Sequence, residues 1–304
     1  MTTLMNEHRL IYRTARNART SRTITEFFDS LGKRVFLRSE LVRLIDKNRE
    51  PWSLVQNASP DEIIADFIES LPLRRFVLAS KNYTNEFERY AWRDPDPLEV
   101  AVSIRAPNSY LCHSSALFIH KLVDHAPREL CVNYEQSEKP RPSGGLTQEA
   151  LDRAFRGKQR QSAFTFRYEE SQIVVLSGKH TAGLEVREMP VATGAKVRVT
   201  SLERTLIDAT VRPGYAGGVA TVLEAFRRAR EALTVPRLID TLRKLDYVYP
   251  YHQAIGFYMD RAGFPAKQLA PLKALGTEWD FYLAHSIQKP AFNSQWRIHH
   301  PKDL

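Results

Sequence analysis

The chain has 304 residues, 43% of them hydrophobic and 26% charged, with a formal net charge of +9; this composition is typical of a globular protein and favours a polyanionic partner. No apolar run reaches the roughly 18 residues of a membrane-spanning helix, and residues 1–17 lack the apolar core of a signal peptide, so we expect a cytoplasmic protein without a membrane partner. Two cysteines are too few for a disulfide framework and lack metal-ligand spacing.

Five arginines and no acidic residue occupy positions 9–25 of the chain. Arg9, Arg13, Arg16, Arg19 and Arg22 recur at spacings of 4, 3, 3 and 3, so on a helix they follow one slowly drifting face. Such a face predicts an arm that lies along a phosphate backbone. The alternative is a solvated basic leader that binds no partner.

The chain after this leader has the pattern of three helices followed by a hairpin. The first helix spans 23–31, Ser39 caps the second, and Ser59 opens the third with a proline at its first position and early acids. Alternating residues between 74 and 92 predict two strands around a polar tip. This order predicts a DNA-binding winged helix-turn-helix domain over residues 1–95.

The third predicted helix carries four acids, Asp61, Glu62, Asp66 and Glu69, and no basic residue. Phosphates would repel such a face, so we expect the DNA contacts of this domain to come from the leader, the second helix and the wing. The candidate DNA-binding residues are Arg9, Arg13, Arg16, Arg19, Arg22, Lys33, Arg34, Arg38, Arg43, Lys47 and Lys81.

Two prolines in the segment 94–97 interrupt both the helical and the strand periodicity, so we place a domain boundary after residue 95. The second domain, 96–304, consists of a mixed α/β region over 96–200 and a mainly helical region over 201–304. The predicted strands are 98–105, 129–135, 163–168, 172–177, 184–189 and 196–199, and the predicted helices are 110–123, 147–156, 219–231, 235–246, 252–262 and 266–275. The predicted fold class is therefore α+β, with an N-terminal winged helix-turn-helix, a mixed α/β sheet region and a C-terminal helical bundle.

The run 196–218, KVRVTSLERTLIDATVRPGYAGG, is the most informative stretch of the chain. Its alternating start predicts a short strand, Thr200 is a candidate helix cap, and Glu203 is placed to complete a capping box. A proline and a glycine end the helix, and Gly217 and Gly218 then turn the chain into the next one.

Arg204 and Asp208 stand one turn apart on this helix. They suggest either a catalytic pair or an ion pair that fixes the helix to its surroundings. No nucleophile, paired base or metal-ligand spacing accompanies them, so we favour the structural ion pair.

Three separated runs carry a resemblance to a known family. TSLERTLIDATVRPGYAGG at 200–218, YLCHSSALFIHKL at 110–122 and WDFYLAHSIQKPAFNSQWRIHHP at 279–301 resemble the AbiEi-type antitoxins of AbiE type IV toxin–antitoxin (abortive infection) systems. The resemblance implies autorepression at operator DNA with inverted repeats, with possible dimerisation on that DNA. It also implies antagonism of a nucleotidyltransferase toxin, for which a stable toxin–antitoxin complex is not required.

No catalytic set emerges from the remaining motifs. Gly178 and Lys179 lack the glycine that a phosphate loop needs five residues earlier, where Ile173 stands. His113 and His120 are too few for a metal site. We therefore expect a non-enzymatic protein without metal or cofactor. The open alternatives are a metal-dependent, nuclease-like enzyme acting on nucleic acid and a protein-interaction scaffold.

Overall fold

A computed structural model describes residues 18–84, 86–140 and 144–304, and these form a mixed α/β protein with eleven α-helices and three sheets. The chain divides into two compact units. The first runs to Pro107 and includes Pro190–Val197, and the second comprises Asn108–Met189 and Arg198–Leu304. Residues 96–107 thus group with the first unit, although the sequence predicted a domain boundary after residue 95. None of the helices in the described ranges is long and apolar enough to cross a membrane.

The first unit contains four helices and three strands. These are α1 (Ala18–Ser30), β1 (Val35–Phe36), α2 (Arg38–Lys47), α3 (Pro60–Ser70), β2 (Leu73–Leu78), β3 (Phe87–Trp92) and α4 (Pro97–Ser103). The strands form an antiparallel sheet in the order β1-β3-β2, and β2 and β3 are paired along their whole lengths. The predicted hairpin is therefore confirmed.

Carboxylates at the third helical position set the starts of α2 and α3. Ser59 accepts the N–H of Glu62 on α3, while the Glu62 carboxylate accepts the N–H of Ser59 at 2.7 Å, a complete capping box as predicted. The prediction that Ser39 caps α2 is wrong, because α2 already begins at Arg38. The Glu40 carboxylate accepts the N–H of Leu37 at 2.8 Å and so extends the helix by one residue.

The predicted strand over 98–105 is wrong, since Pro97–Ser103 is the helix α4. Asp96 accepts the N–H of Leu98 through its side chain, and the Glu99 carboxylate accepts the N–H of Asp96 at 3.0 Å. A capping box with proline at the first helical position is a local signal that outweighs the alternation of apolar residues.

Aromatic side chains fill the core of the first unit. The ring of Phe28 on α1 stacks on Trp92 of β3 at 4.6 Å between centroids and meets Phe36 and Phe67 edge-on. Rings from α1, α3 and the sheet thereby share one cluster, which joins the helices to the hairpin.

The end of α1 is joined to the end of β3 by Asp29. Its carboxylate accepts the Trp92 indole N–H at 2.8 Å and two N–H groups of Arg93, both at 2.8 Å. These hydrogen bonds, first from Arg93 and then from Trp92, lower the pKa of Asp29 to about 2.

Two hydrogen bonds explain why the distant segment Pro190–Val197 belongs to the first unit. Thr193 donates its hydroxyl to the buried carboxylate of Glu99 at 2.6 Å, and its carbonyl accepts a guanidinium N–H of Arg34 at 3.4 Å. No local sequence pattern predicts that the segment Pro190–Val197 groups with the first unit.

The second unit contains β4 (Tyr110–Leu111), α5 (His113–Ile119), β5 (Glu129–Glu135), α6 (Gln148–Arg156), β6 (Thr165–Tyr168) and β7 (Ser171–Gly178). The strands β8 (Val186–Pro190) and β9 (Lys196–Thr200) follow, and their residues Pro190, Lys196 and Val197 group with the first unit. The six strands have the order β6-β7-β5-β4-β9-β8, and β5 and β7 run parallel. The helix predicted from residue 110 is wrong at its start, because Tyr110 and Leu111 pair with Asn133 and Val132 of β5.

The helices that follow are α7 (Leu202–Val211), a 3-10 turn (Pro213–Ala216), α8 (Val219–Ala229), α9 (Val235–Leu245), α10 (Tyr251–Arg261) and α11 (Ala266–Lys273). The N-cap of α7 is Ser201, not Thr200, because Thr200 remains the last residue of β9. The Glu203 carboxylate accepts the N–H of Thr234 at 3.3 Å and makes no capping box. Gly217 and Gly218 have φ values of 88° and 96°, which L side chains rarely adopt.

The C-terminal tail departs from the predicted helical bundle. It forms a three-stranded sheet in the order β10-β12-β11, from β10 (Phe281–Tyr282), β11 (Pro290–Asn293) and β12 (Ile298–Pro301). Trp296, between the last two strands, is fully buried and donates its indole N–H to Asp260 of α10 at 2.9 Å. Its ring lies against Gly256, where a Cβ would stand 2.1 Å from a ring carbon.

Candidate functional site

The predicted DNA-binding residues occupy several environments. Arg9, Arg13 and Arg16 lie outside the described residues. Arg19 and Arg22 lie on α1 and are exposed, and Arg22 forms an ion pair with Glu26 one turn on, at 2.8 Å. Exposed pairs of this kind are weak, so Arg22 remains available to a phosphate.

Three further candidates make intramolecular contacts. Arg38 holds the carboxylate of Asp61 through two N–H groups, at 2.8 and 2.5 Å, and Lys33 pairs with Glu40 at 2.6 Å. Arg34 donates to main-chain carbonyls, among them that of Asp94 at 3.0 Å. These contacts give the three cations partners within the protein, although the side chains of Lys33 and Arg38 are still 44% and 52% exposed.

Beyond α1, Arg43, Lys47 and Lys81 are the candidates that remain exposed without an ion pair to any residue of the described ranges. Arg43 and Lys47 lie four residues apart on α2 and so share one face of that helix. Lys81 lies at the tip between β2 and β3. We call these three exposed residues, Arg43, Lys47 and Lys81, the α2–wing cations.

Part of the acidity of α3 has a structural explanation. Asp61 is held by Arg38, and this hydrogen bond lowers the pKa of Asp61. Glu62 belongs to the capping box of α3. Both carboxylates therefore have structural roles, so the negative charge of α3 does not by itself show which face of the unit would bind a ligand.

A cavity of about 90 Å³ lies in the second unit, where the parallel strands β5 and β7 end. It is lined by Cys112, His113, Asn133, Leu176, Gly178, Lys179, Arg204, Asp208, Val211, Arg212 and Tyr247. Two of the three runs that carry the family resemblance therefore contribute to one wall. We call this the motif cavity.

The ion pair of Arg204 and Asp208 forms part of that wall. The guanidinium Nε lies 2.8 Å from the Asp208 carboxylate, and the two side chains are only 5% and 8% exposed. A second N–H of Arg204 is donated to the carbonyl of Leu184 at 3.2 Å. Burial alone disfavours the charged guanidinium, but the attraction of Asp208 outweighs it and raises the pKa of Arg204.

His113 also lines the motif cavity. It is 7% exposed, its φ is 46°, and its ring meets Tyr215 edge-on. Its Nδ1 is buried and has no hydrogen-bond partner in the described chain. Burial lowers the pKa of His113 to about 4, so the imidazole is neutral at physiological pH.

Lys179 and Arg212 are two further cations in the lining of the motif cavity. Lys179 donates to the carbonyls of Leu245 and Asp246, both at 2.8 Å, which occupies two of its three N–H groups. Arg212 is exposed, and its guanidinium makes no hydrogen bond with the residues that the structure describes. The sequence signal for Lys179 was its place after Gly178 in a motif rejected as a phosphate loop, and Arg212 lies in the run 200–218 that carries the family resemblance.

A polar network holds Asn133, another residue of the lining. Asn133 donates to the hydroxyl of Tyr110 at 2.7 Å, and that hydroxyl is donated to Glu135 at 2.9 Å. The amide of Asn133 lies over Gly178, where a Cβ would stand 2.4 Å from the amide oxygen. Only glycine fits at this position, and the wall is correspondingly well defined.

No group of three or more potential metal ligands occurs within residues 18–84, 86–140 and 144–304. His120, considered together with His113 in the sequence analysis, instead bonds the carbonyl of Thr200 at 2.8 Å. A second, larger cavity of about 390 Å³ lies between α6 and the tail and is lined in part by Asp152, Arg156 and Tyr282.

The chain matches no protein-family model, and a comparison with curated proteins finds no match. Among solved structures, the chain is similar to the crystal structure of the RV2827C protein from Mycobacterium tuberculosis, with a TM-score of 0.53 and 14% sequence identity. The similarity covers 94% of this chain and 92% of that one. At this identity, the similarity shows a shared fold alone.

Proposed function

We propose that this chain is a DNA-binding antitoxin of the AbiEi type, which represses its own operon and counteracts a nucleotidyltransferase toxin. The first unit would hold operator DNA, and the second would carry the antitoxin activity. The proposal rests on the resemblance of the three runs and on the architecture of the first unit.

The architecture of the first unit is the observation that carries DNA binding. Its order of helix, strand, two helices and hairpin, with the short β1 pairing to β3, supports our assignment of this unit as a winged helix. In that interpretation α2 and α3 form the helix-turn-helix, and the β2–β3 hairpin is the wing.

The exposed cations indicate which side would meet the phosphates. Arg43 and Lys47 share one face of α2, and Lys81 lies at the tip of the wing. The net charge of +9 supports a nucleic-acid partner. We propose that the α2–wing cations, together with Arg19 and Arg22, make the phosphate contacts.

The test is fluorescence anisotropy with DNA from the region upstream of the gene, titrated with salt. We expect the double variant Arg43→Gln/Lys47→Gln to reduce the slope of log affinity against log salt by roughly 2, since each lost phosphate contact removes about 1. The matched control is Arg243→Gln/Lys267→Gln, which removes the same charge from exposed positions of the second unit. Equal slopes in the two variants would refute the assignment.

The antitoxin half of the proposal is tested in cells with the full-length chain. We expect Arg43→Gln/Lys47→Gln to lose promoter repression and to retain rescue from a nucleotidyltransferase toxin encoded beside it. Two outcomes favour the other classes. Metal-dependent cleavage of DNA or RNA would indicate an enzyme, and no DNA binding even at low salt would indicate an interaction scaffold.

A further inference from the structure

We propose that the motif cavity binds a small tetrahedral oxyanion, either free phosphate or the terminal phosphate of a larger molecule. This inference concerns the second unit and does not depend on DNA binding by the first. It rests on the charge of the lining, on donors that lack partners, and on the size and place of the cavity.

The charge of the lining favours an anion. Lys179, Arg204 and Arg212 contribute three cations, and Asp208 is the single carboxylate among the lining residues. Since Asp208 already binds Nε of Arg204 at 2.8 Å, its charge is compensated locally. The cavity is left with an excess of positive charge at the edge of a buried region, where electrostatic attraction is weakly screened.

Several hydrogen-bonding groups around the cavity have no protein partner. The described chain offers no acceptor to Nη2 of Arg204 or to the guanidinium of Arg212, and Lys179 retains one N–H. The imidazole of His113 is more than nine-tenths buried, with Nδ1 unpartnered. Buried polar groups are rarely left unpaired.

An oxyanion satisfies this set of groups. Guanidinium and ammonium groups offer donors only, and the neutral imidazole of His113 offers one N–H. A tetrahedral anion presents acceptors in several directions at once, so it can accept from Lys179, Arg204 and Arg212 together, and the imidazole of His113 lines the same cavity. A cationic or apolar ligand would leave all of these donors unpaired.

The size and position of the cavity restrict the ligand further. A volume of about 90 Å³ is well below the roughly 300 Å³ at which pockets for drug-sized molecules begin. A phosphate group matches this volume, whereas the rest of a nucleotide would have to lie outside it. The cavity also lies where the parallel strands β5 and β7 end, the edge at which ligands bind in open α/β sheets.

The experiment is isothermal titration of the full-length protein with sodium sulfate and with inorganic phosphate, in chloride buffer at constant ionic strength. We expect saturable binding of both anions at one site. Arg212→Gln should weaken binding at least tenfold, since it removes an exposed cation that no described contact ties to the fold. The matched control, Arg243→Gln, should bind as the wild type does.

A second variant tests the buried wall. His113→Asn removes the imidazole but suits the left-handed backbone at this position, because asparagine adopts positive φ more readily than most residues. We expect it to remain folded by circular dichroism and to bind sulfate more weakly. In the wild type, sulfate should shift the His113 imidazole resonances in a nitrogen-15 spectrum.

Competition separates the two sources of the anion. Displacement of sulfate by adenosine 5′-monophosphate would assign the cavity to the terminal phosphate of a larger molecule, and binding of phosphate without such displacement would assign it to the free anion. The proposal is overturned if neither anion binds, or if Arg212→Gln and His113→Asn both bind sulfate as tightly as the wild type.

Discussion

Replacement of Asp208 by alanine measures what the buried ion pair contributes to the second unit. The variant leaves the Arg204 guanidinium, which is 5% exposed, with its contact to the carbonyl of Leu184 and without a counter-ion. Breaking a buried pair from one side costs about 3–5 kcal/mol, because an uncompensated charge stays inside the protein. Eight of the ten residues of α7 are buried, so the helix cannot turn this charge toward water.

The same spacing at the surface provides the control. Arg22 and Glu26 are also four residues apart and 2.8 Å from each other, but their side chains are 81% and 64% exposed. Glu26→Ala should therefore change the stability by less than about 1 kcal/mol. Asp208→Ala should lower the Tm of the second unit by about 10 °C, given roughly 2–4 °C per kcal/mol for a unit of this size.

The assay is urea unfolding followed by circular dichroism, together with thermal melts of the same variants. Arg204→Met/Asp208→Leu removes both charges and should recover most of the lost stability, since an apolar replacement leaves no charge unpaired. The reasoning fails if Asp208→Ala is as stable as Glu26→Ala. If that stable variant also lost toxin rescue, the pair would have to be assigned to function.

Three further predictions follow from local geometry. Gly256→Ala should lower the free energy of unfolding of the second unit by more than about 2 kcal/mol, measured in urea, because its Cβ would overlap the fixed ring of Trp296. This loss should exceed the gain of about 1 kcal/mol in helix propensity. Gly157→Ala is the control, because open space surrounds Gly157. The hydrogen-bonded carboxylate of Asp29, with a pKa of about 2, should stabilise the first unit above pH 4 and lose this contribution as the pH falls toward 2. In acid unfolding, the Asp29→Asn variant should not show this loss. Below pH 6.5 the unfolded chain binds a proton at His113 more readily than the folded protein, because burial lowers the pKa of His113 to about 4. The free energy of unfolding of the wild type should therefore fall by up to about 3 kcal/mol between pH 6.5 and 4, and His113→Asn should show a flatter pH dependence there.

Where the sequence alone was sufficient, the signal was local. The capping box of Ser59 and Glu62 involves residues three apart, and it located the start of α3. The spacing of Arg204 and Asp208 correctly indicated an ion pair within one helix. Such contacts depend on few backbone angles, so the residues that make them are close in the sequence as well as in space.

The same kind of signal misled where two local patterns competed. Residues 98–105 alternate like a strand, but the capping residues Asp96 and Glu99 lie at its start and decide for a helix. At Tyr110 a residue distant in the sequence determines the secondary structure: Tyr110 pairs with Asn133 on β5, so the start of the predicted helix is a strand. A strand exists only with a partner, and the partner is set by the fold.

The candidate sites divide in the same way. The sequence supplied the basic residues of the first unit, but only the tertiary structure separated Arg38, held by Asp61 from another helix, from the exposed Arg43. The motif cavity brings Lys179 and Arg212 together with His113, although each comes from a different stretch of the chain. Sequence by itself determined the helical and strand segments with strong local signals and the excess of positive charge. The tertiary structure alone decided which charges are compensated and which donors remain free, because burial and pairing depend on contacts between residues far apart in the chain.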